Sequence, residues 1–185
     1  MAQEYNNYIY LMHLDEYLYI PEYPDSIPDS MQSQFQATNA LSRTAPVFSY
    51  SYSGPRTVQV KLKIHRDMLD DLNISNSVFK LKDGEDYTDA LIRKIQAIAL
   101  PSYNATSSSI VPPMVALKMG NQLFIKGIVT GTISVDYSKP ILDNDKYAIA
   151  DINFTIYEVE PFDAYSVAQQ GSFRGITRQF KNNIF

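Results

Sequence analysis

The segment between Pro112 and Pro161 constrains the fold of this chain more than any other. A short apolar run ends at a Gly120-Asn121 turn, and two long β-prone runs follow it, over 123–137 and 148–156. Apolar and polar residues alternate in these runs, and a period of two is the pattern of a strand with one buried face. Nothing in the segment resembles a reaction centre. It therefore predicts antiparallel sheet rather than catalysis.

Three other segments extend this pattern. Residues 56–65 alternate strictly between apolar and polar side chains, and residues 8–20 hold two β-prone runs that predict a hairpin with a short loop. Residues 86–100 change to helical period, with Asp86 as the N-cap and Pro101 as the stop. The expected fold class is mainly β: an antiparallel sandwich or barrel with one short helix and extended arms at both ends.

The chain is expected to have three parts. Residues 1–45 form the hairpin and an extended arm, because three prolines and little periodicity disfavour ladder hydrogen bonds over 21–46. Residues 46–162 form the β domain, and residues 163–185 form a C-terminal tail. Two stretches are expected to be polar loops, 102–113 and 138–145. Bulges or sharp coils are expected at two glycines of the long run, Gly127 and Gly131.

The C-terminal tail has an amphipathic, locally basic pattern. Four apolar residues recur at spacings of three, four and four, with arginine and lysine between them: Phe173, Ile176, Phe180 and Ile184. Such spacing is typical of a short helix with one apolar face. The tail either packs on its own domain or docks on another subunit, and the pattern leaves both interpretations open.

Composition excludes several classes of function. The 185 residues include no cysteine, which rules out disulfides, thiolate metal sites and a cysteine nucleophile. A net charge of −4 argues against a dedicated nucleic-acid binder but suits a surface past which DNA slides. No run is long and apolar enough to span a bilayer, and the amino terminus lacks the layout of a signal peptide, so synthesis in a cytoplasm is expected. The 14 tyrosines point to sheet and contact surfaces.

Candidate chemistry is sparse. His65 lies beside Asp67, but no Gly-x-Ser-x-Gly nucleophile motif accompanies it, so a strand-end histidine is the preferred interpretation. His13 lies in an aromatic run and is interpreted as a packed side chain. The acidic clusters 67–71 and 83–86 lack the twelve-residue calcium pattern and are interpreted as solvated turns and a helix cap. We therefore expect no enzyme activity and no catalytic, cofactor-binding or metal-binding residues.

Three groups of motifs together resemble the tail-tube-like proteins of contractile phage tails and related injection systems. These motifs are Pro112-Pro113-Met114-Val115 with Met119-Gly120-Asn121 and 124–129, the return strand 150–158, and the upstream 41–46 and 52–56. The helix before Leu100-Pro101 lies where the family has one, and the resemblance covers about residues 40–160. Many relatives continue into a carbohydrate-binding LysM module, which has no counterpart in the residues after Pro161.

The resemblance implies a ring protein of the virion, either in the tail tube or as a tube initiator or baseplate hub. In such proteins a β-sandwich or barrel joins five sister copies in a hexamer, and long hairpins line a shared channel for DNA. Its implied partners are other tail-tube and baseplate proteins and the tape-measure protein. The tail residues above would dock on neighbouring proteins. The hairpin residues that the resemblance implies between subunits or in the channel are Val115, Leu117, Met119, Phe124, Ile128 and Tyr137.

Two alternatives belong to other classes of function. The first is a monomeric β-sandwich that binds carbohydrate or peptide on a stacking platform of tyrosines. The second is a hydrolase that uses His65 with a distant serine or aspartate.

Overall fold

The computed structural model describes residues 7–20, 24–39, 41, 44–67, 85–103, 110–143, 145–160 and 163–169. These residues are mainly antiparallel β-sheet, as predicted. The strands are β1 Asn7–Leu11, β2 Glu16–Tyr19, β3 Asp29–Ser30, β4 Ser33–Thr38, β5 Val47–Ser53, β6 Thr57–His65, β7 Ser102–Tyr103, β8 Ile110–Val111, β9 Val115–Met119, β10 Leu123–Val129, β11 Ser134–Ile141 and β12 Tyr147–Glu158. The helices are α1 Tyr87–Ala97 and the short α2 Ala164–Gln169.

Eight strands form the main sheet, in the order β2-β1-β9-β10-β12-β6-β3, with β11 paired to β12 beside β10. The long strand β12 pairs with β6 from Thr57 to His65, and its apolar residues alternate inward as predicted. On its other edge, β12 pairs with β11 along most of its length and with β10 at its end. The described strands do not close: β2 and β3 are at opposite ends of the strand order.

The two glycines where bulges or sharp coils were expected lie in β10 and in the connection that follows it. Gly127 pairs with Val115 on β9 and with Glu158 on β12, so it lies where the two halves of the sheet meet. A Cβ atom there would lie 2.0 Å from the carbonyl oxygen of Tyr157. Gly131 has a φ of 85° and interrupts the predicted long run between β10 and β11. The run 123–137 therefore forms two strands: β10, which pairs with β9 and β12, and β11, which pairs with β12.

Helix α1 packs into the core. Its N-cap is Asp86, whose carboxylate accepts a hydrogen bond from the Asp89 amide at 2.7 Å, as the sequence predicted. Three apolar residues at helical spacing, Leu91, Ile95 and the C-cap residue Ile98, are fully buried among the core side chains of the sheet. The helix therefore covers an apolar sheet face that would otherwise contact water.

The predicted N-terminal hairpin is β1 and β2. Its loop contains no glycine, and Asp15 adopts the left-handed conformation instead, with a φ of 53°. Strand β1 pairs along its whole length with β9. The hairpin therefore belongs to the same sheet as the strands of the predicted β domain.

Three stretches differ from the sequence prediction. Residues 21–46 were expected to be an arm without strands, but β3 pairs with β6 and β4 pairs with β5. Residues 102–113 were expected to be a loop, but β7 and β8 pair there. Residues 138–141 were also expected in a loop, but they continue β11 across a register shift that accommodates Pro140. The strands in these stretches are mostly exposed. Because they contribute little to the core, they lack the alternation that reveals buried strands.

Candidate functional site

Strands β4 and β5 form a separate two-stranded sheet, which we call the ribbon (Ser33–Thr38 and Val47–Ser53). Every residue of β5 is exposed, as are five of the six residues of β4. The exposed fractions are high even for large apolar side chains: Phe35 58%, Phe48 64%, Tyr50 58% and Tyr52 60%. Exposed apolar side chains concentrated on one element mark a contact surface.

The ribbon carries an aromatic pair on one face. Phe35 pairs with Tyr50, and their rings meet edge to face with centroids 5.5 Å apart. Phe48, two residues before Tyr50, shares this face, because side chains alternate along a strand. The register shifts by one residue between the Phe35–Tyr50 and Gln34–Tyr52 pairs, so Tyr52 lies on the other face, opposite Gln34. Neither strand contains a charged residue.

One edge of β6, near the ribbon, is only partly paired by the strands that the structure describes. Strand β3 pairs with β6 at Thr57 and Val58, and the amide of Gln59 donates to the carbonyl of Pro28 at 3.0 Å. From Val60 to His65, none of the described strands pairs with this edge of β6. Six residues of strand span about 20 Å and present a row of backbone hydrogen-bonding groups.

The structure places the predicted hairpin residues mainly inside the protomer. Val115 and Leu117 are fully buried, and Met119 is 4% exposed, all three within the core cluster. Phe124 is also 4% exposed, but Ile128 is half-buried and Tyr137 is 49% exposed. The tail residues 173–184 lie outside the described residues. Four large exposed aromatic side chains are on the ribbon, whereas the resemblance implies subunit or channel contacts through residues of β9, β10 and β11.

The sequence of β5 has the pattern of a strand. Phe48, Tyr50 and Tyr52 alternate with Ser49, Ser51 and Ser53. Alternation alone predicts a strand, but it cannot distinguish a face that packs on the core from one that stays uncovered.

Tyrosines also cluster on the β1–β2 hairpin. The rings of Tyr10 and Tyr17 stack with centroids 4.4 Å apart, and Tyr8 meets Tyr17 edge to face at 5.5 Å. The Tyr10 hydroxyl donates to the Asp15 carboxylate at 2.7 Å, and this bond raises the pKa of Tyr10 to about 12. Burial and neighbouring groups raise the pKa of Tyr17 to about 12. These rings pack mainly on one another.

The two histidines form no recognisable reaction centre. His65 is half-buried at the end of β6, opposite Ile149 of β12. Both ring nitrogens of His13 are buried without a hydrogen-bond partner. No group of three or more metal-ligating side chains occurs in the part of the chain that the structure describes. None of the described helices is long and apolar enough to cross a membrane.

Comparison with known proteins adds no family assignment to this geometry. No protein-family model matches the chain, and no curated protein sequence matches it.

Proposed function

We propose that this chain is a non-enzymatic structural protein of a virion, which assembles as a ring in the tail tube or baseplate hub of a contractile phage tail. The ring extends or nucleates the channel through which DNA passes. Its partners are further copies of the chain, in a hexamer, and other tube and baseplate proteins. The sequence resemblance over residues 40–160 and the mainly antiparallel sheet support this proposal.

The observation that carries the proposal is the uncovered ribbon. A two-stranded hairpin is at best marginally stable in water unless a further strand or a packed face supports it. Here Phe35, Phe48, Tyr50 and Tyr52 are each more than half exposed. Burying one such side chain stabilises by about 1.5–3 kcal/mol. A partner surface that covers these aromatic side chains would supply the missing stabilisation.

A second copy of the chain offers a matching surface. The edge of β6 from Val60 to His65, which none of the described strands covers, is as long as β4 and can accept a further strand. The ribbon and this edge are different surfaces of the protomer, so pairing between them is a head-to-tail contact, which closes into a ring when the rotation allows. In this proposal neighbouring copies complete the sandwich or barrel that the single chain leaves open.

Assembly of the full chain tests the proposal. We expect rings or short tubes by negative-stain microscopy, and large species by sedimentation velocity at tens of micromolar, alone or with tail proteins. Phe48→Ser with Tyr52→Ser leaves the Phe35–Tyr50 pair intact. We expect this double variant to weaken each contact by about 3 kcal/mol, or about 100-fold in affinity.

The matched control is Ser49→Thr with Ser51→Thr, at the serines between the aromatic residues of the same strand. It should assemble like the natural chain, and all three proteins should unfold cooperatively. A sharp monomer peak for the natural chain, both alone and with tail proteins, would overturn the proposal.

The second candidate function is a monomeric module that binds carbohydrate or peptide. The tyrosine cluster on β1 and β2 favours it, since stacked aromatic rings can hold a sugar. However, Tyr10 and Tyr17 stack on each other, so their facing surfaces are already occupied. A ligand-dependent change of tyrosine fluorescence in a monomer would favour this candidate over the first.

A further inference from the structure

The ribbon is joined to the main sheet through a single kink. On the sheet side, Ser30 pairs with Thr57; on the ribbon side, Ser33 pairs with Ser53. Between them, residues 31–32 and 54–56 belong to no strand. One backbone hydrogen bond crosses the kink, from the Gly54 amide to the Gln32 carbonyl at 2.8 Å. Two short connections with one hydrogen bond between them can act as a hinge. A fixed orientation of the ribbon relative to the main sheet therefore needs further contacts at the kink.

One guanidinium group lies at this kink. Arg56 is 5% exposed, and its Nε and Nη2 atoms donate to the two oxygens of Asp29 at 2.8 and 2.7 Å. Asp29 is on β3, the strand that leads into β4, whereas Arg56 lies between β5 and β6. The two-bond fork therefore ties the 54–56 connection to β3, from which the other connection leaves, with the planar geometry that arginine and carboxylate share.

The same group also contacts the body of the sheet. Its Nη1 atom donates to the carbonyl of Phe124 on β10 at 3.2 Å and to the carboxylate of Glu158 on β12 at 3.4 Å. The Glu158 side chain is 5% exposed. The Asp29 hydrogen bond is the largest influence on the Arg56 guanidinium and raises its pKa. Arg56 of the 54–56 connection thus contacts three strands: β3, β10 and β12.

We infer that Arg56 is a positioning residue that fixes the direction in which the ribbon leaves the sheet. A hydrogen-bonded fork resists rotation more than a single ammonium does. A ribbon held in one direction loses less entropy when a neighbour binds it, and pre-organisation strengthens binding. The link to assembly rests on the proposed function, but the effect on ribbon direction does not.

The direction of the ribbon can be measured in a monomer. The chain has no cysteine, so spin labels at Thr38→Cys on the ribbon and Lys61→Cys on β6 give one defined distance. Both positions are exposed. Pulsed electron–electron double resonance on the Phe48→Ser, Tyr52→Ser background reports the distribution of this distance without assembly. Arg56→Lys keeps the charge and removes the fork.

We expect Arg56→Lys to widen the distance distribution on the order of twofold, and to raise the concentration needed for assembly of the unlabelled chain about tenfold. The control is Arg93→Lys. Arg93 on helix α1 makes the same two-bond fork, from its Nε and Nη2 atoms to the two carboxylate oxygens of Glu85, both at 2.7 Å. It should change neither quantity. Asp29→Asn, which leaves the contacts with Phe124 and Glu158, should widen the distribution less.

An unchanged distribution in folded Arg56→Lys would overturn the inference. If that variant does not fold, Asp29→Asn decides in the same way: a wider distribution supports the inference and an unchanged one overturns it. If Arg56→Lys widens the distribution but the natural chain never assembles, the positioning role of Arg56 is supported and the proposed function is overturned.

Discussion

At the residue scale, Gly127 and Gly131 show two different reasons for glycine in one run. At Gly127 the reason is space, because an added Cβ would meet backbone atoms of Tyr157. At Gly131 the reason is conformation, since φ is 85° and no atom lies within 4 Å of an added Cβ. The sequence predicted a special role for both glycines, but only the packing of β10 against β12 separates the two roles.

Alanine at each glycine should separate these two costs. Gly127→Ala forces two paired strands apart and should lower the free energy of unfolding by about 2–3 kcal/mol. Gly131→Ala only strains one exposed residue and should cost about 1 kcal/mol. Urea unfolding of both variants on the non-assembling Phe48→Ser, Tyr52→Ser background gives the two values. Equal losses would contradict the close contact at Gly127.

At the element scale, a network of four charged groups fixes helix α1 to the sheet. Arg66 at the end of β6 donates to Asp86 and, at 2.9 Å, to Asp89. Lys146, just before β12, donates to the same two carboxylates at 2.9 and 2.6 Å. Burial alone would raise the pKa of Asp89, but the hydrogen bonds from Arg66 and Lys146 outweigh it and lower that pKa. The first turn of the helix is thus tied to two strands.

This network should make stability depend on pH. Because the folded-state pKa of Asp89 is lowered, its contribution is complete above the ordinary aspartate pKa of about 4 and is lost as the pH falls through the folded value. Asp89→Asn should cost about 1 kcal/mol at pH 7, a modest value because the carboxylate is partly exposed to screening. The difference from the natural chain should vanish once the pH lies well below the lowered folded-state pKa of Asp89.

Urea unfolding between pH 2.5 and 7 measures that difference. The control is Asp25→Asn, at an exposed position away from the helix. A pH-independent loss in Asp89→Asn would show that the carboxylate acts through shape rather than charge.

At the scale of the whole molecule, charge is absent from the two strands of the ribbon. The chain has 36 charged side chains, 16 basic and 20 acidic, yet none lies in β4 or β5. The ribbon offers exposed aromatic rings and serine hydroxyl groups. Association through such a surface depends on apolar burial and strand pairing rather than on ion pairs.

Assembly should therefore respond weakly to salt. Raising sodium chloride from 50 to 500 mM shortens the screening length several-fold, yet the sedimentation profile should change little. Sodium sulfate, which strengthens apolar burial, should favour the assembled state. Dissociation in 500 mM sodium chloride would show that ion pairs outside the ribbon hold the copies together.

The parts of the fold that the sequence predicted share one property. Strands β6 and β12 and helix α1 each bury one face in the core and leave the other in water, which imposes a period of two or 3.6 on their side chains. Strands β3 and β4 were missed because neither is anchored by a buried apolar face. For the candidate contact surface, the sequence shows the alternating aromatic residues of β5. It predicts neither their pairing with β4 nor their exposure to solvent.

The sequence by itself determined which segments become strands or helix wherever one face is buried, because periodicity is a local property of the chain. The tertiary structure decided which apolar faces stay uncovered. Val115 and Leu117 looked suited to a shared hairpin, yet β1 and β10 flank their strand and the core takes their side chains. Phe48 and Tyr52 have the same alternation and remain exposed, because their ribbon extends beyond the edge of the sheet. Exposure depends on long-range pairing, which no local pattern records.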